Sequence, residues 1–465
     1  MKPFVAALCS VLLAACSPDD AVVPSAKIGG NEACAGDVTE CLAREVTERT
    51  VSGVDVVHAR VRGDPVVAVR VLFDAQDRGG LQLWAEEFAL QIFAFEGKQG
   101  NTVASWDADL STIGASVGAG AGVDYDTIAA YAPIAYWDTL WKYVTEALAQ
   151  PAIEEYLLMH LKSETDHDYS TELDEPAGAA AAVAYSNAFS GTPSNRFRDS
   201  QRDAQRVSMA NLVEAWASLL TKERLHVVVV GDMSFADVSA KVAQAFGGIT
   251  ARHTPDFPGP PPEPGPPTAS KAVVLDYPDS PNWQIQSVFR GPAATDADFP
   301  ALAVAMRVLD LRLFDEVREA RGLAYSVSAS LRSNRVSYGS FQLATVAPSQ
   351  ALPVVKDIVQ GLVDTPPGDD EMSAARALLR SDLLTSARTP PAIASMLGAS
   401  LLVRDDPLGV RDVVASADAV TAEDARRALS TYMRNVSIAA AGAGEPLDET
   451  ALLAVVPSSG ADAGP

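Results

Sequence analysis

Histidine and cysteine, the side chains from which many hydrolytic and metal centres are built, are scarce here: five histidines and four cysteines in 465 residues. They form no Ser-His-Asp or Cys-His pattern, so a self-sufficient hydrolase ranks last among the readings. Basic residues are also few, 36 Lys and Arg against 60 Asp and Glu, which leaves a formal charge of −24. That charge keeps the chain soluble and argues against nucleic acid or anionic lipid as a partner, while basic peptide segments match it. The apolar run from Phe4 to Ala15 is too short to span a bilayer as a mature helix. Gly118 to Gly122 is glycine-rich, yet neither a helix start nor a suitable acidic residue follows it as a nucleotide loop requires.

What is present begins at the N-terminus. Lys2, the apolar run and Leu13-Ala14-Ala15-Cys16 have the layout of a secretory signal peptide over residues 1–15. Leu-Ala-Ala-Cys resembles the bacterial lipobox, which implies cleavage before Cys16, diacylation of that cysteine and durable membrane anchoring through its lipid. Ser17, where an aspartate would retain the protein, implies sorting to the outer membrane, on its periplasmic face. Removing the signal takes Cys9 away, and lipidation uses Cys16. Cys34 and Cys41 remain in a tether over residues 16–45 and, once exported, are expected to form a small local disulfide.

Residues 253–270 carry eight prolines, a semi-rigid spacer between a unit at 46–252 and a second at 271–450, with a flexible tail expected over 451–465. The 48% hydrophobic content supplies packed cores for both units. The units read as copies. Val207-Ser208, a helical stretch through Leu220, a strand Leu225 to Val230 and Gly231 match Val420-Thr421, a helical stretch through Met433, a strand Ile438 to Ala443 and Gly444 at one offset without gaps. Ser208 and Thr421 are helix N-cap candidates. Pro151 and the helix through Leu161 pair in the same way with Pro366 and the helix through Leu379, and this matched order points to duplication.

Within the first unit, Val54 to Val61 and Val66 to Phe73 read as strands and Leu81 to Phe95 as a helix. Ala115 to Ala121 with Tyr125 to Ala132 read as a hairpin, followed by helices at Trp137 to Ala149 and Ile153 to Thr165. This is α+β layering, a sheet covered by helices, and the duplication predicts two homologous domains arranged as a clam shell. Glu86 and Glu87 are expected on the solvent side of the amphipathic helix. His160 and His167, with Glu164, Asp166 and Asp168, are expected to be an adventitious surface cluster near a helix end at Asp166 to Thr171. His58 and His226 are expected to pack within strands.

Two strands followed by Gly80-Leu81-Gln82-Leu83-Trp84-Ala85-Glu86-Glu87 resemble the first domain of the insulinase/pitrilysin metallopeptidases, the inverzincins, where a glycine-leucine pair precedes H-x-x-E-H. In that motif two histidines bind zinc and the glutamate activates water. Here the histidine positions hold Leu83 and Glu87, only Glu86 survives, and the family's third ligand, seventy-odd residues downstream, is matched by Glu164. Two carboxylates without an imidazole do not make a zinc site, so no metal or other cofactor is expected in this chain. Leu311 to Leu331 reads Leu-Arg-Leu-Phe-Asp-Glu-Val-Arg-Glu-Ala-Arg-Gly-Leu-Ala-Tyr-Ser-Val-Ser-Ala-Ser-Leu and resembles the family's second-domain motif. The resemblance implies that Arg318 and Tyr325 reach across to the zinc site, bind substrate backbone and stabilise the oxyanion. It also implies that Gly118 and Ala119 lie on an edge strand that takes the substrate as an added strand.

In some bacterial members of that family one chain carries the zinc motif and a second carries only the arginine-tyrosine pair. This sequence resembles the second kind: a substrate-binding subunit of a heterodimeric envelope metallopeptidase, incompetent alone, with zinc only in a partner subunit. The rival reading is a non-enzymatic peptide-binding or scaffold lipoprotein of the same fold.

Overall fold

Three valine-rich strands hold the first sheet together, and their apolar residues run consecutively as burial on both faces demands. Two of them, β2 (Val54–Arg60) and β3 (Val66–Asp74), follow an edge strand, β1 (Val46–Val51). The computed structural model describes residues 46–457 apart from 76, 77, 193, 194, 196–199, 260–264 and 266. Cys16, Cys34, Cys41 and the centre of the proline-rich spacer lie outside the described residues.

After β3 come helices α1 (Gly80–Glu96) and α2 (Val103–Thr112), then the hairpin β4 (Ser116–Gly120) and β5 (Tyr125–Pro133). Helices α3 (Trp137–Ala149), α4 (Glu155–Asp174), α5 (Pro176–Phe189) and α6 (Met209–Leu219) precede the third valine-rich strand, β6 (Leu225–Gly231), and α7 (Phe235–Phe246). The sheet order is β1-β2-β6-β3-β5-β4, with β2 and β6 parallel and the other neighbours antiparallel.

The second unit repeats the plan. Strands β7 (Lys271–Asp276) and β8 (Trp283–Arg290) lead into α8 (Phe299–Leu313), and the hairpin β9 (Ser326–Arg332) and β10 (Tyr338–Thr345) follows. Then come α9 (Pro348–Asp364), α10 (Asp369–Ser386), α11 (Pro390–Arg404), α12 (Gly409–Ala419), α13 (Ala422–Tyr432), β11 (Ser437–Gly442) and α14 (Glu449–Leu453). Its order is β7-β11-β8-β10-β9, and the one parallel pair is again β7 with β11. Without β1, which the sequence reading did not foresee, the two sheets coincide strand for strand. The duplicated caps are present as expected: Ser208 with Asn211 and Thr421 with Asp424 each close a capping box.

Two expectations are corrected. Helix α4 runs on to Asp174 instead of ending near Asp166, because its exposed acidic and polar residues still allow helical spacing while Leu157, Leu158 and Leu161 anchor its start in the core. Of the tail expected over 451–465, residues 451–457 instead carry the end of α14 and the turn after it, which bury Leu452 and Val455 in the second core, and the remainder lies outside the described residues.

The units are not separate at the proline-rich spacer. One face of the first sheet is covered by its own α1, α3, α4 and α6. The other face, with Val57, Leu72, Val228 and Val230, is covered by α11 of the second unit through Ile393, Ala394, Leu397 and Leu401. Reciprocally, α5 of the first unit lays Ala180, Ala184 and Phe189 on Val288, Ala439 and Ala441 of the second sheet. Small side chains permit this close approach: α5 is rich in alanine, and a Cβ on Gly398 of α11 would stand 2.6 Å from Leu72 Cδ1. Pro176 and Pro390 open the two exchanged helices at positions where the missing N–H is harmless. Arg335, between β9 and β10, adds a polar tie by pairing with Asp74 and donating to the Ala75 carbonyl of the first unit.

Because Leu397 fills the interface between the units, Leu397→Ala should lower stability in urea unfolding by about 2–5 kcal/mol. A loss under about 1 kcal/mol would mean that α11 is not a core element of the first unit.

Candidate functional site

Helix α1 carries the degenerate motif, and it is buried on nearly all sides, with Gln82, Leu83, Ala85, Glu86, Phe88, Ala89 and Leu90 all inaccessible. It therefore has no solvent face for Glu86, and the solvent-facing placement expected of Glu86 and Glu87 is overturned: Glu86 is fully buried and Glu87 half-buried. The buried carboxylate is tolerated because two guanidiniums meet it. Arg224, immediately before β6, donates from its Nη atoms to Glu86 Oε1 and Oε2 at 2.7 and 3.1 Å, and Arg78, two residues before α1, also donates to Oε2. Gln82 Nε2 at 3.0 Å and Ser218 Oγ at 3.1 Å complete the donors to Glu86.

Arg78 reaches further. Its two Nη atoms grip Asp126 of β5 at 2.6 and 2.8 Å, and one also donates to the Gly122 carbonyl at 2.6 Å. Two guanidiniums thus face two carboxylates with no formal charge left over, in the forked geometry that suits arginine and carboxylate. Burial opposes ionisation of Glu86, but Arg78 and then Arg224 outweigh it and hold the carboxyl far below the usual carboxylate range. Asp126 goes the other way: burial pushes it up against the pull of Arg78.

Glu87 has a different environment. Its carboxylate accepts from the Ala121 N–H just beyond β4 and from Gln91 Nε2. Burial raises its carboxyl to about 7, with Ala121 and Gln91 opposing. Glu164 on α4 pairs instead with His160, 3.4 Å away and itself exposed. Among the described residues no hydrogen bond or ion pair joins Glu164 to Glu86 or Glu87, and no three His, Cys, Asp or Glu stand where they would hold a metal ion. The fit to zinc fails on chemistry. Leu83 is apolar and buried at the first ligand position, and Glu86 is engaged by two permanent cations that would repel a third. His58 and His226 lie within β2 and β6 as expected.

The second-unit motif is placed differently. Helix α8 widens after Leu313 into a π-helical segment, Phe314–Glu319, as shown by the Ala320 N–H reaching back to the Asp315 carbonyl. Such segments recur at functional sites. Gly322, at φ +61°, turns the chain so that Leu323 N–H reaches the Val317 carbonyl, and Tyr325 then opens β9 with its N–H on Ala344. Val317 is buried and anchors the turn, while Arg318 projects, its Cζ 5.1 Å from the Phe314 ring centre. Tyr325 is 88% exposed. Among the described residues neither side chain bonds to the first unit, so they are not joined to Glu86 or Glu87 in this state. Gly118 and Ala119 lie on β4, which pairs with β5 alone and forms the sheet edge; open space surrounds the place of a Cβ on Gly118.

Sequence reasoning missed Arg78, Arg224, Asp126, Gln82 and Ser218. One signal was available: Asp126 shares the phase of Ile128, Ala130 and Ala132, the buried face of β5, and an acid in core phase requires a buried cation.

Glu87 binds its proton more tightly in the folded chain, at about 7 against an ordinary 4.5, so stability should fall as pH rises through that window. Glu87→Gln removes the titration and should be more stable than the parent by about 1–3 kcal/mol above neutral pH, with the gap closing toward about pH 5. Paired urea unfolding curves at the two pH values decide this, and a pH-independent gap would refute it.

Residues 206–379, which include Arg318 and Tyr325, match the family described as "Peptidase M16 inactive domain". An uncharacterized zinc protease of Streptomyces coelicolor is 34% identical over 119 residues, 25% of this chain and 26% of that protein. The crystal structure of a peptidase M16 inactive domain from Pseudomonas fluorescens superposes with a TM-score of 0.74 at 20% identity, covering 86% of this chain and 100% of that one. A protease from Helicobacter pylori superposes with a TM-score of 0.75 at 15% identity, covering 86% and 99% of the two chains. These neighbours carry the α+β, two-domain clam-shell fold that the duplication predicted. Residues 206–379 are thus similar in sequence to a peptidase M16 inactive domain, and most of the chain shares the fold of these structural neighbours.

Proposed function

We propose that this chain is the zinc-free, substrate-holding subunit of a two-chain envelope metallopeptidase, inactive alone and completed by a zinc-bearing insulinase-type subunit. The observation that carries this reading is Tyr325, 88% exposed at the end of a rigid turn that also projects Arg318. A phenol and a guanidinium presented to solvent on a buried anchor are arranged to meet something outside the chain. At the motif's other half, Glu86 is locked in ion pairs and has no freedom to activate water. Stabilising an oxyanion is separable from making the nucleophile, so the two tasks can be divided between chains. The open edge of β4 at Gly118 and Ala119 offers a peptide strand a place to pair. The charge of −24 favours peptides with basic segments.

Export and a Cys16 lipid anchor, at the periplasmic face of the outer membrane, belong to the same proposal. Cys16→Ser should release the protein from the membrane fraction or block its maturation; unchanged fractionation and processing would remove the anchor from the proposal.

Mixing this chain with the zinc-bearing partner should give peptidase activity that neither has separately. Arg318→Ala or Tyr325→Phe should reduce turnover of the mixture by about 10²–10³-fold. Stability of this chain should change by less than about 0.5 kcal/mol, since both side chains are exposed. Equal cleavage with both residues removed would defeat the divided-site mechanism. A chain that binds no zinc-bearing relative would instead favour a peptide-binding or scaffold role.

A further inference from the structure

Resting on the zinc-free reading of α1, one feature goes beyond the loss of two histidines. Arg78 bonds three separate pieces of the first unit at once: Glu86 of α1, Asp126 of β5 and the Gly122 carbonyl in the β4–β5 turn. Tying several carboxylates and a carbonyl from different elements to one positive centre is what a bound metal ion does. We propose that Arg78 is a built-in cation that has taken over the metal's electrostatic and cross-linking work beside the motif helix, so that this site excludes divalent metal even when histidines are supplied.

The charge arithmetic supports exclusion. Arg78 and Arg224 contribute two positive charges against at most two negative ones from Glu86 and Asp126, so the cluster has no net negative charge to offer a metal. A divalent ion placed next to it would bring two unmatched positive charges into a buried region, facing guanidiniums that cannot deprotonate. Glu87, which occupies the second histidine position, senses the charges of both Arg78 and Asp126, so the cluster lies within electrostatic reach of that position. Burial opposes the charge on Arg78, but Asp126 and Glu86 outweigh it and hold the guanidinium in its charged form.

The experiment compares zinc binding by three forms of the full mature chain, with no partner subunit present, so its outcome is independent of whether a two-chain peptidase exists. The first form carries Leu83→His and Glu87→His, which restores the histidine pair with Glu164 retained. The second adds Arg78→Gln. The third adds Arg78→Gln and Asp126→Asn together, which removes one charge of each sign and guards against unfolding from an unpaired buried carboxylate. Zinc is titrated by calorimetry, with elemental analysis after dialysis and thermal melts with and without zinc. The first form should remain zinc-free. The second or third should take up about one zinc per chain with an affinity about 100-fold or more above the first, and its melting temperature should rise on adding zinc. Stoichiometric zinc in the first form would overturn the proposal, because Arg78 would then be no barrier. Folded second and third forms that stay zinc-free would overturn it as well, since the obstruction would lie elsewhere.

Discussion

Four charges closed away from water, Arg78 and Arg224 against Glu86 and Asp126, set the geometry of the first unit. Each comes from a different place: ahead of α1, ahead of β6, within α1 and within β5. None is tolerable alone, since an unpaired buried charge costs several kcal/mol, so the four elements must arrive together. Ser218 on α6 and the Asp74 carbonyl at the end of β3 join the cluster through Arg224. The chemistry of the motif helix follows. A glutamate clamped in this way is a structural anion, and a histidine position taken by buried Leu83 is part of the core.

In the second unit the exposed motif lies at the far end of the equivalent helix. Where α1 leads through α2 to β4 in the first unit, α8 leads through a π-helical segment to β9 in the second. One end of this duplicated element was filled with compensated charge, and the other was left exposed with Arg318 and Tyr325 on it. The exchange of α5 and α11 across the sheets binds the two ends into one body, so their relative positions are set by packing.

Much of this was legible in the sequence. The apolar runs at Val54 and Val66, the helix at Leu81 and the hairpin around residues 116–133 follow from apolar spacing. The matched segments at Ser208 and Thr421 disclosed the duplication, because an N-cap residue ahead of a helix is a local signal. Long-range compensation was not. Nothing local pairs Arg78 with Asp126, 48 positions away, or Arg224 with Glu86, 138 away. Without those partners, two adjacent glutamates on a helix read as a solvent face. The exchanged helices escaped for a similar reason: Ala-rich α5 and apolar α11 look like core helices of their own units, and only the three-dimensional arrangement assigns each to the opposite sheet.

The zinc content of the purified chain, measured by elemental analysis after equilibration with zinc and dialysis, tests the central claim most directly, alongside peptide hydrolysis by the same sample. A chain whose motif glutamate is held by two guanidiniums should retain far less than one zinc per molecule and cleave nothing on its own. Close to one zinc per chain, lost when Glu86 or Glu164 is changed to glutamine, would contradict it.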